Sequence, residues 1–467
     1  MLKDYLSPGE LGEDFENVIE SVKSGVPTAV FGLTEAAKCH LASVTDEPIL
    51  YIAKDSLYAA GVVNEIEALS GEKVVYLPAK DDVLLYKTAF DRTSLFSRLS
   101  ALYNVKKGAR IVVTTFPALL QLFPKELPVS EIKKGGCYDL AEVAAKLIEF
   151  GYKREEFAEE KGTFAVRGDI LEVFPVNGED SFRADFFGDE AESVFRYEDG
   201  DKEKKSFVNA FEVIPATDAI VLNDEIPEIK EKLKAALAAF GTLAVKDDAR
   251  KIVNDLSEKL DAGAPCNEFQ FIMPLLSTVT DDIFTYIPKN AVVIFDECKM
   301  LYDSLTSSLK EHGERVLALA RTGKAFRFTA AQYADGEKLV KRLTSGKKAA
   351  FQNITAAINF FSPLKTFNLR CSPIARYTAN FEDIYRDIKN WRFGGYKVLV
   401  CAGNAERANA LSDELYSRGI SSVRAEDTVL KGGVAVITAY YLPTGVIYHN
   451  AKLALIGTGD AYIGKPK

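Results

Sequence analysis

Hydrophobic and polar positions along residues 1–120 alternate between two periods. Short apolar runs typical of buried strands are separated by stretches in which apolar residues recur every three or four positions, which is the spacing of an amphipathic helix. Strands that alternate with helices favour βαβ units, and therefore a parallel sheet with helices on its faces. The runs predict strands at 27–33, 48–53, 73–79 and 110–116, and helices at 11–24, 34–44, 56–69 and 94–105.

The pattern changes between residues 164 and 197. The helical period disappears there, and short strand-like runs follow one another with turn residues between them. Asn177-Gly178 is the dipeptide most typical of a two-residue type I′ hairpin turn, and Gly188-Asp189 predicts a second turn. The segment therefore predicts an antiparallel meander, which forms a small domain inserted into the first one.

The first of these turns also fixes which residues of the meander share a face. It pairs Glu172 with Arg183 and, further out, Gly168 with Phe187. One face of the hairpin is then apolar, and Arg183 and Phe187 lie on the opposite face. Strict alternation turns Arg167 toward the apolar face, so a bulge at Gly168 is needed to bring this side chain out.

The pattern of the remaining chain completes the domain organisation. Helical periods return at 227–240 and 248–260, and the apolar run at 290–297 suggests that the first domain resumes. A lysine-rich stretch at 334–348 marks a boundary near residue 345. Beyond it lies another βαβ pattern, with strands at 396–403, 420–426, 434–438 and 452–457 and helices at 381–390 and 405–418.

The sequence thus predicts an α/β protein of three domains. A parallel-sheet domain occupies 1–120 and 215–345, and an antiparallel β-rich α+β domain of residues 121–214 is inserted between these two segments. A second, small α/β domain of unassigned role follows at 350–467.

Composition and charge narrow the classes of function. The 467 residues are 47% hydrophobic and 27% charged, with a net charge of −9, which is typical of a globular protein and argues against broad nonspecific nucleic-acid binding. The apolar runs are too short to span a bilayer, and the acidic start lacks an export signal, so we expect a cytoplasmic protein without a membrane partner. Six scattered cysteines and three isolated histidines predict neither a metal site nor a catalytic constellation.

A degenerate phosphate loop follows the first predicted strand. Gly32 and Lys38 fit the first glycine and the lysine of the pattern Gly-x4-Gly-Lys-Ser/Thr. Ala37 replaces the second glycine, and Cys39 replaces the hydroxyl that would bind Mg²⁺. Glu35 adds a carboxylate whose repulsion of a phosphate about 4 Å away costs on the order of 4 kcal/mol. These residues predict a degenerate nucleotide site that holds no cofactor.

A carboxylate pair, Asp296-Glu297, ends the strand predicted at 290–297. In a working nucleotide site such a pair holds Mg²⁺ and activates water. Because the phosphate loop is degenerate, we expect these two residues to form a solvated loop at the strand end instead.

Residues 162–197, GTFAVRGDILEVFPVNGEDSFRADFFGDEAESVFRY, resemble the domain shared by the excision-repair protein UvrB and the transcription-repair coupling factors. The degenerate loop and the runs LPAKDDVLLYKTAFDRTSLFSRLSALY and YNVKKGARIVVTTFPALLQLFP are more similar to the coupling factors, because UvrB keeps an intact Gly-Lys-Thr loop. The resemblance covers most of 1–345. It implies that the first domain is a degenerate helicase domain of the RecA-like, P-loop type.

The resemblance also implies a partner. In coupling factors this inserted domain docks UvrA, and the matching residues here are Arg167, Arg183 and Phe187. The chain would then be the non-catalytic, N-terminal part of a factor that recruits UvrA to RNA polymerase stalled at DNA damage. RNA polymerase and DNA would be bound only by regions absent from this chain. Residues 153–205 carry 16 acidic and 9 basic residues, a balance that suits a protein partner better than a phosphate backbone.

Several alternatives stay open at this point. Arg183 could simply pair with Glu172 across the strands, and Phe187 could pack into the core. Lys38 and Asp296-Glu297 would suit an ATP-dependent DNA helicase of the UvrB type. The lysines of 337–348 could bind DNA weakly, although a solvated helix face explains them as well.

Overall fold

The computed structural model describes residues 2–81, 84–86, 91–240, 245–375, 377, 381–424 and 430–460. These residues form three larger sheets, two two-stranded ribbons and the helices that cover them. None of the helices in these ranges is long and apolar enough to cross a membrane. Part of the run LPAKDDVLLYKTAFDRTSLFSRLSALY, which spans residues 77–103, lies outside the described residues.

A seven-stranded sheet lies at the centre of the first domain, and all of its neighbouring strands run parallel. The inner strands are buried along their whole length, which explains why they appear in the sequence as continuous apolar runs. The predicted α/β class with a parallel sheet is therefore confirmed. Across the sheet the strands are Lys365–Asn368, Thr28–Phe31, Lys348–Phe351, Val292–Asp296, Ile49–Ala53, Ile111–Thr115 and Val75–Leu77.

Helices cover both faces of this sheet, and four of them begin at a capping side chain that the sequence supplies. The side chains of Thr34, Asp55 and Asp91 each accept a hydrogen bond from a backbone N–H in the first turn. One face carries Leu2–Tyr5, Pro8–Leu11, Glu13–Lys23, Glu35–Val44 and Ser56–Ser70, and the other carries Arg92–Lys106, Phe116–Leu120, Cys298–Ala320 and Gly336–Leu343.

The parallel sheet continues past the boundary expected near residue 345. Lys348–Phe351 is an inner strand, and Lys365–Asn368 is an edge strand of the same sheet. The lysines at 347 and 348 gave this stretch the composition of a linker, but Ala349, Ala350 and Phe351 are buried in the core. The edge strand is mostly exposed and therefore has no hydrophobic pattern that would reveal it.

The inserted domain contains the antiparallel meander predicted at 164–197, which forms the centre of a six-stranded sheet. All neighbouring strands are antiparallel except the last pair. Its apolar face, with the helix Leu140–Glu149, belongs to the same core as the parallel sheet, and the ribbon of Ser130–Lys133 with Ala210–Val213 lies where the chain enters and leaves it. Across the sheet the strands are Lys205–Phe207, Glu190–Tyr197, Ser181–Phe187, Ile170–Phe174, Thr163–Arg167 and Lys153–Arg154.

A helical unit joins the inserted domain to the returning parallel sheet. It contains the helices Ile226–Ala238 and Val245–Ala262 and the 3₁₀ segments Asn267–Leu275 and Arg327–Gln332 around a separate apolar cluster. Two further 3₁₀ segments, Glu198–Gly200 and Ile283–Thr285, and the short ribbon of Phe123–Pro124 with Val279–Thr280 complete the connections.

The C-terminal unit has a six-stranded mixed sheet with the helices Phe381–Phe393 and Ala405–Ser417 on one face. Its other face packs on the helices of the first domain, since Leu399 and Tyr448 share a core with Ala37 and Leu41. The small α/β unit is therefore attached to the first domain by a common core. Across its sheet the strands are Cys371–Pro373, Val446–Tyr448, Leu453–Ile456, Lys397–Cys401, Ala435–Thr438 and Ser422–Arg424.

Candidate functional site

The residues of the degenerate nucleotide site come together at the carboxyl edge of the parallel sheet. The Nζ atom of Lys38 lies 2.6 Å from Oδ1 of Asp296 and 2.5 Å from Oε1 of Glu297. The hydroxyl of Tyr51 donates a hydrogen bond of 2.6 Å to the other carboxylate oxygen of Asp296. Lys38, which would hold a phosphate in a working site, thus forms ion pairs with Asp296 and Glu297, which would hold a metal ion there.

The expectation of a solvated strand end at Asp296-Glu297 was wrong. Asp296 is fully buried, and Glu297 is only partly exposed. Lys38 explains the difference, since its buried ammonium group at 2% exposure needs a counter-charge. Glu297 adopts a left-handed conformation with φ of 61°, and its carboxylate also accepts a hydrogen bond of 2.7 Å from the N–H of Asn353.

The backbone of the phosphate-loop remnant is bonded within the chain. The N–H groups of Gly32 and Leu33 donate to the carbonyls of Asn353 and Gln352, each at 3.1 Å. At the start of the next helix, the N–H of Ala37 donates to the Thr34 side chain at 3.2 Å. A working phosphate loop turns such N–H groups toward its ligand.

Position 32 requires glycine because the chain packs closely against it. Its φ is 77°, a left-handed conformation that favours glycine, and a Cβ atom there would lie 2.1 Å from the carbonyl oxygen of Leu369. The chain at 369–371 hydrogen-bonds to the carbonyls of Phe31 and Gly32. Glu35 is exposed at the first turn of the helix Glu35–Val44 rather than inside a loop.

Burial and the neighbouring charges perturb the titration of this cluster. Burial lowers the pKa of Lys38, but Asp296 and Glu297 outweigh it, so this pKa lies above its usual value. Burial raises the pKa values of Cys39 and Tyr51 well above their usual range. Lys38 is therefore a charged structural partner at neutral pH, and Cys39 is a protonated thiol. Among the described residues, no cluster of histidine, cysteine, aspartate and glutamate could hold a metal ion.

The inserted sheet presents the second set of candidate residues. The register of its central hairpin is as predicted at Arg183, which is paired opposite Glu172. The predicted pair of Gly168 with Phe187 is wrong, because the two strands pair only as far as Asp185 and Ile170. The connection differs from the predicted one, because neither Asn177 nor Gly178 has a positive φ and the strands end at Phe174 and Ser181. The chain at 175–180 forms a longer loop instead.

Tertiary contacts explain this longer loop. Val176 is buried, and its N–H donates to the hydroxyl of Tyr152 at 3.2 Å. The side-chain amide of Asn177 donates to the carbonyl of Glu212 at 3.1 Å. The second predicted turn is a two-residue turn as expected, with Gly188 at a φ of 60° and Phe187 paired with Glu190.

Arg167 reaches the polar face without the predicted bulge. Gly168, with a φ of 57°, and Asp169 form a two-residue turn that pairs Arg167 with Ile170. Paired residues share a face, so Arg167 lies on the same side of the sheet as Glu172. The bulge at Gly168 was therefore a wrong expectation, because the turn itself reverses the alternation.

We call this side of the sheet the outer face. Its charged residues are bonded within the chain, Arg167 to Glu172 at 2.8 Å and Arg183 to Asp185 at 2.6 Å. Asp185 is the main cause that raises the pKa of Arg183. The ion pair of Arg183 with Glu172, which the sequence left open as an alternative, is not formed, and Arg183 pairs with Asp185 on its own strand instead. The outer face carries the side chains of Arg167, Glu172, Arg183, Asp185, Phe187, Phe195 and Phe207.

Phe187 does not pack into the core. Its side chain is 81% exposed at the end of its strand, whereas Phe186 beside it is buried on the apolar face. Leu171, Val173 and Ala184 are buried there as well. The predicted separation of an apolar inner face from a polar outer face is confirmed.

Two further phenylalanines near the outer face were missed by sequence reasoning. Phe207 is 76% exposed, and Phe157 is 45% exposed with the Arg167 guanidinium 4.2 Å above its ring. Phe207 stands in the polar run KKSFVN and Phe157 in REEFAEE, so neither belongs to a periodic pattern. Only the pairing of the strands reveals where they lie.

Comparison with known proteins identifies the inserted domain. Residues 131–218 match the family model of the UvrB interaction domain. Over nearly its whole length, the chain is also similar to proteins named transcription-repair-coupling factor. It is 21% identical to that of Bacillus subtilis over 474 residues, 26% identical to that of Myxococcus xanthus over 481, and 22% identical to that of Staphylococcus aureus over 460.

The coverage of these alignments is asymmetric. They include 97% of this chain but 40% of the Bacillus subtilis protein, and 94% of this chain but 39% of the Myxococcus xanthus protein. The chain therefore spans about two fifths of the length of the curated relatives it matches.

Proposed function

We propose that this chain, which corresponds to the N-terminal region of a transcription-repair-coupling factor, is a non-catalytic adaptor that binds UvrA in the cytoplasm. UvrA would thereby be recruited to RNA polymerase stalled at DNA damage. Contacts with RNA polymerase and DNA would come from other parts of the full-length protein. The first domain, a degenerate helicase domain in this proposal, would serve as a scaffold for the inserted domain.

One observation carries the proposal. Phe187 is exposed on the same face of the sheet as Arg167 and Arg183, and this sheet lies within residues 131–218, which match the family model of the UvrB interaction domain. A face that combines an exposed aromatic side chain with arginines has the composition favoured at the energetic centre of protein interfaces. The ion pairs with Glu172 and Asp185 hold both guanidinium groups in place, which lowers the entropy lost when a partner binds.

The Lys38 cluster supports the non-catalytic part of the proposal. Lys38 is neutralised by Asp296 and Glu297, and Ala37 donates its N–H to Thr34. A nucleotide would have to break these bonds and bring phosphate charge beside two carboxylates. We therefore infer that this site serves structure rather than ATP hydrolysis.

The test is a binding titration with purified UvrA. We expect Arg183→Ala and Phe187→Ala each to weaken binding by about tenfold or more, the effect typical of an interface hot spot. Phe393→Ala is the matched control, because Phe393 is 97% exposed in the C-terminal unit, away from the inserted sheet. Melting temperatures should stay close to the wild-type value, since both tested side chains are partly or largely exposed. Unchanged UvrA binding by the Arg183→Ala, Phe187→Ala double variant would refute the proposal.

A further inference from the structure

We propose that the UvrA-binding surface extends across the whole outer face, from Phe157 to Phe207, and that these two phenylalanines are additional anchors. This inference rests on the proposed function and describes the partner it requires. The partner must present a strip that crosses several strands, with apolar pockets for the rings and polar groups of both charges beside them. Arg167, Arg183 and Phe187 alone would need a much smaller contact.

The pairing of the strands places Phe207 in line with Arg183. Arg183 is paired with Glu172 on one side and with Phe195 on the other, and Phe195 is in turn paired with Phe207. Directly paired residues on one face have Cβ atoms about 5 Å apart. The four side chains therefore form one continuous row across the sheet, and Phe207 lies about two strand spacings from Arg183.

Phe207 is held firmly enough to act as an anchor. Its ring packs against Phe195 with 4.6 Å between the centroids, and Phe195 is only 7% exposed. The Nζ atom of Lys205 lies 3.5 Å from the centre of the Phe195 ring. Phe207 packs on Phe195 but is 76% exposed, so a partner can bury its ring with little loss of side-chain entropy.

Phe157 has similar support on the other side of the face. Its ring lies between the guanidinium of Arg167 at 4.2 Å and the ammonium of Lys202 at 5.4 Å. The Arg167 side chain also donates to the carbonyl of Glu156 at 3.0 Å, which ties the segment of Phe157 to the sheet. Cation–π contacts of this kind fix the ring while leaving 45% of the residue exposed.

The charges indicate what the partner must offer. The two arginines are balanced by Glu172 and Asp185, so the centre of the outer face has little net charge. Lys202 lies near Phe157 and Lys205 lies near Phe195, but the exposed residues Glu155, Glu156, Glu159 and Glu160 also flank Phe157. A partner with apolar pockets and a polar rim that carries both signs of charge is complementary to this arrangement.

The partner is expected to lie on the face rather than to extend the sheet. Lys205–Phe207 is an edge strand, and the described residues place no strand beside its outer edge. Lysines at 204 and 205 stand at that edge, and lysine on an edge strand is a common protection against the addition of another strand. The exposed rings of Phe157 and Phe207 project from the face, which is where the binding surface lies.

The experiment measures the UvrA affinity of Phe207→Ala, Phe157→Ala and Phe207→Leu, with Arg183→Ala as reference and Phe393→Ala as control. We expect a loss of about tenfold for Phe207→Ala and about fivefold for Phe157→Ala. Phe207→Leu keeps an apolar cover over Phe195 and should recover most of the affinity and of the melting temperature.

The outcomes separate the two proposals. If Arg183→Ala weakens binding but both phenylalanine variants bind like the wild type, the extended surface is refuted and the UvrA-binding function stands. If Arg183→Ala also binds like the wild type, the proposed function fails, and the extended surface fails with it. A loss of affinity in Phe207→Ala that is matched by an equal loss in Phe393→Ala would show a nonspecific effect and would also refute the extension.

Discussion

The ammonium group of Lys38 lies 2.6 Å from the carboxylate of Asp296, and neither side chain is more than 2% exposed. The two residues stand 258 positions apart in the sequence, one in a helix that follows the strand Thr28–Phe31 and the other at the end of Val292–Asp296. Their ion pair joins the two sequence segments of the parallel-sheet domain. The residues that the sequence predicted as a degenerate nucleotide site therefore form an internal link of the fold.

This ion pair makes Lys38 important for stability. Lys38→Ala leaves the buried carboxylate of Asp296 without its counter-charge, a change that typically costs about 3–5 kcal/mol of unfolding free energy. We expect a loss of this size in urea or thermal unfolding. The control is Lys299→Ala, which removes an exposed pair with Asp303 at 2.8 Å and should cost at most about 0.5 kcal/mol. Equal effects of the two substitutions would contradict the structural role of Lys38.

Nucleotide titration is a second, independent test of the cluster around Lys38. We expect no saturable binding of ATP with Mg²⁺ at micromolar concentrations, because Lys38 is neutralised by Asp296 and Glu297 and the thiol of Cys39 is a poor ligand for Mg²⁺. The measurement is isothermal titration calorimetry or fluorescence of an ATP analogue. Micromolar binding that Lys38→Ala abolishes would instead favour an ATP-dependent helicase of the UvrB type.

Because of Glu65, we expect the stability of the protein to fall as the pH rises above about 4.5. It is 5% exposed, and burial raises its pKa from 4.5 to about 8. A raised pKa means that the folded state binds the proton more tightly, so the unfolding free energy should fall as pH rises from about 4.5 to 8. The fall in unfolding free energy amounts to at most about 5 kcal/mol. Glu65→Gln stays neutral at every pH and should remove this fall.

The measurement for Glu65 is unfolding by urea at pH 5 and at pH 8.5. The variant should be more stable than the wild type at pH 8.5 and closer to it at pH 5, because the wild-type carboxyl group is then protonated in the folded state. Glu67→Gln is a control on the same helix, with a less buried side chain. A constant difference between wild type and Glu65→Gln at both pH values would contradict the assignment.

Because of His40, we expect the protein to lose stability as the pH falls below about 6.5. Its Nε2 atom lies 2.9 Å from the carbonyl of Leu6, and its Nδ1 atom lies 2.7 Å from the hydroxyl of Tyr448. Burial lowers its pKa from 6.5 to about 4, so the unfolded state binds the proton more tightly. Stability contributed by the neutral ring should therefore be lost as pH falls from about 6.5 to 4.

Hydrogen exchange can locate this acid effect. Because His40 connects the chain before the first long helix to the strand Val446–Tyr448, we expect amide protection to fall in both places below pH 6. In His40→Gln, the part of the pH dependence between 6.5 and 4 should shrink, whatever the overall stability of the variant. An unchanged slope in that variant would assign the acid effect to other groups.

Glu172 is expected to position an arginine for UvrA binding. Its side chain is 11% exposed and lies 2.8 Å from the guanidinium of Arg167. Glu172→Gln weakens this ion pair, so Arg167 should become less ordered and UvrA binding should fall a few-fold without a loss as large as that of Arg183→Ala. Glu192→Gln, an exposed change in the strand Glu190–Tyr197 two strands away, is the matched control and should bind normally. Tighter binding by Glu172→Gln would contradict the positioning role.

The sequence by itself determined the elements whose signal is local. Continuous apolar runs marked the buried strands of the parallel sheet, because strands covered on both faces need apolar residues at every position. Alternation marked the two faces of the inserted sheet. The pairing of Arg183 with Glu172 followed from a turn expected at Asn177-Gly178, and it holds although a longer loop stands there. The degenerate pattern from Gly32 to Cys39 showed that the ligands of a working phosphate loop are missing.

The tertiary structure decided what depends on partners far away in the chain. Such neighbours bury Asp296 and supply the hydrogen bond from Val176 to Tyr152 that replaces the tight turn. They also bury the strand Lys348–Phe351, which the lysines before it made look like a linker in the sequence. The row from Arg183 to Phe207 exists only because three strands pair in one register. A local pattern sets the conformation of a segment, whereas the environment of a charge or a ring is set by whichever segments fold against it.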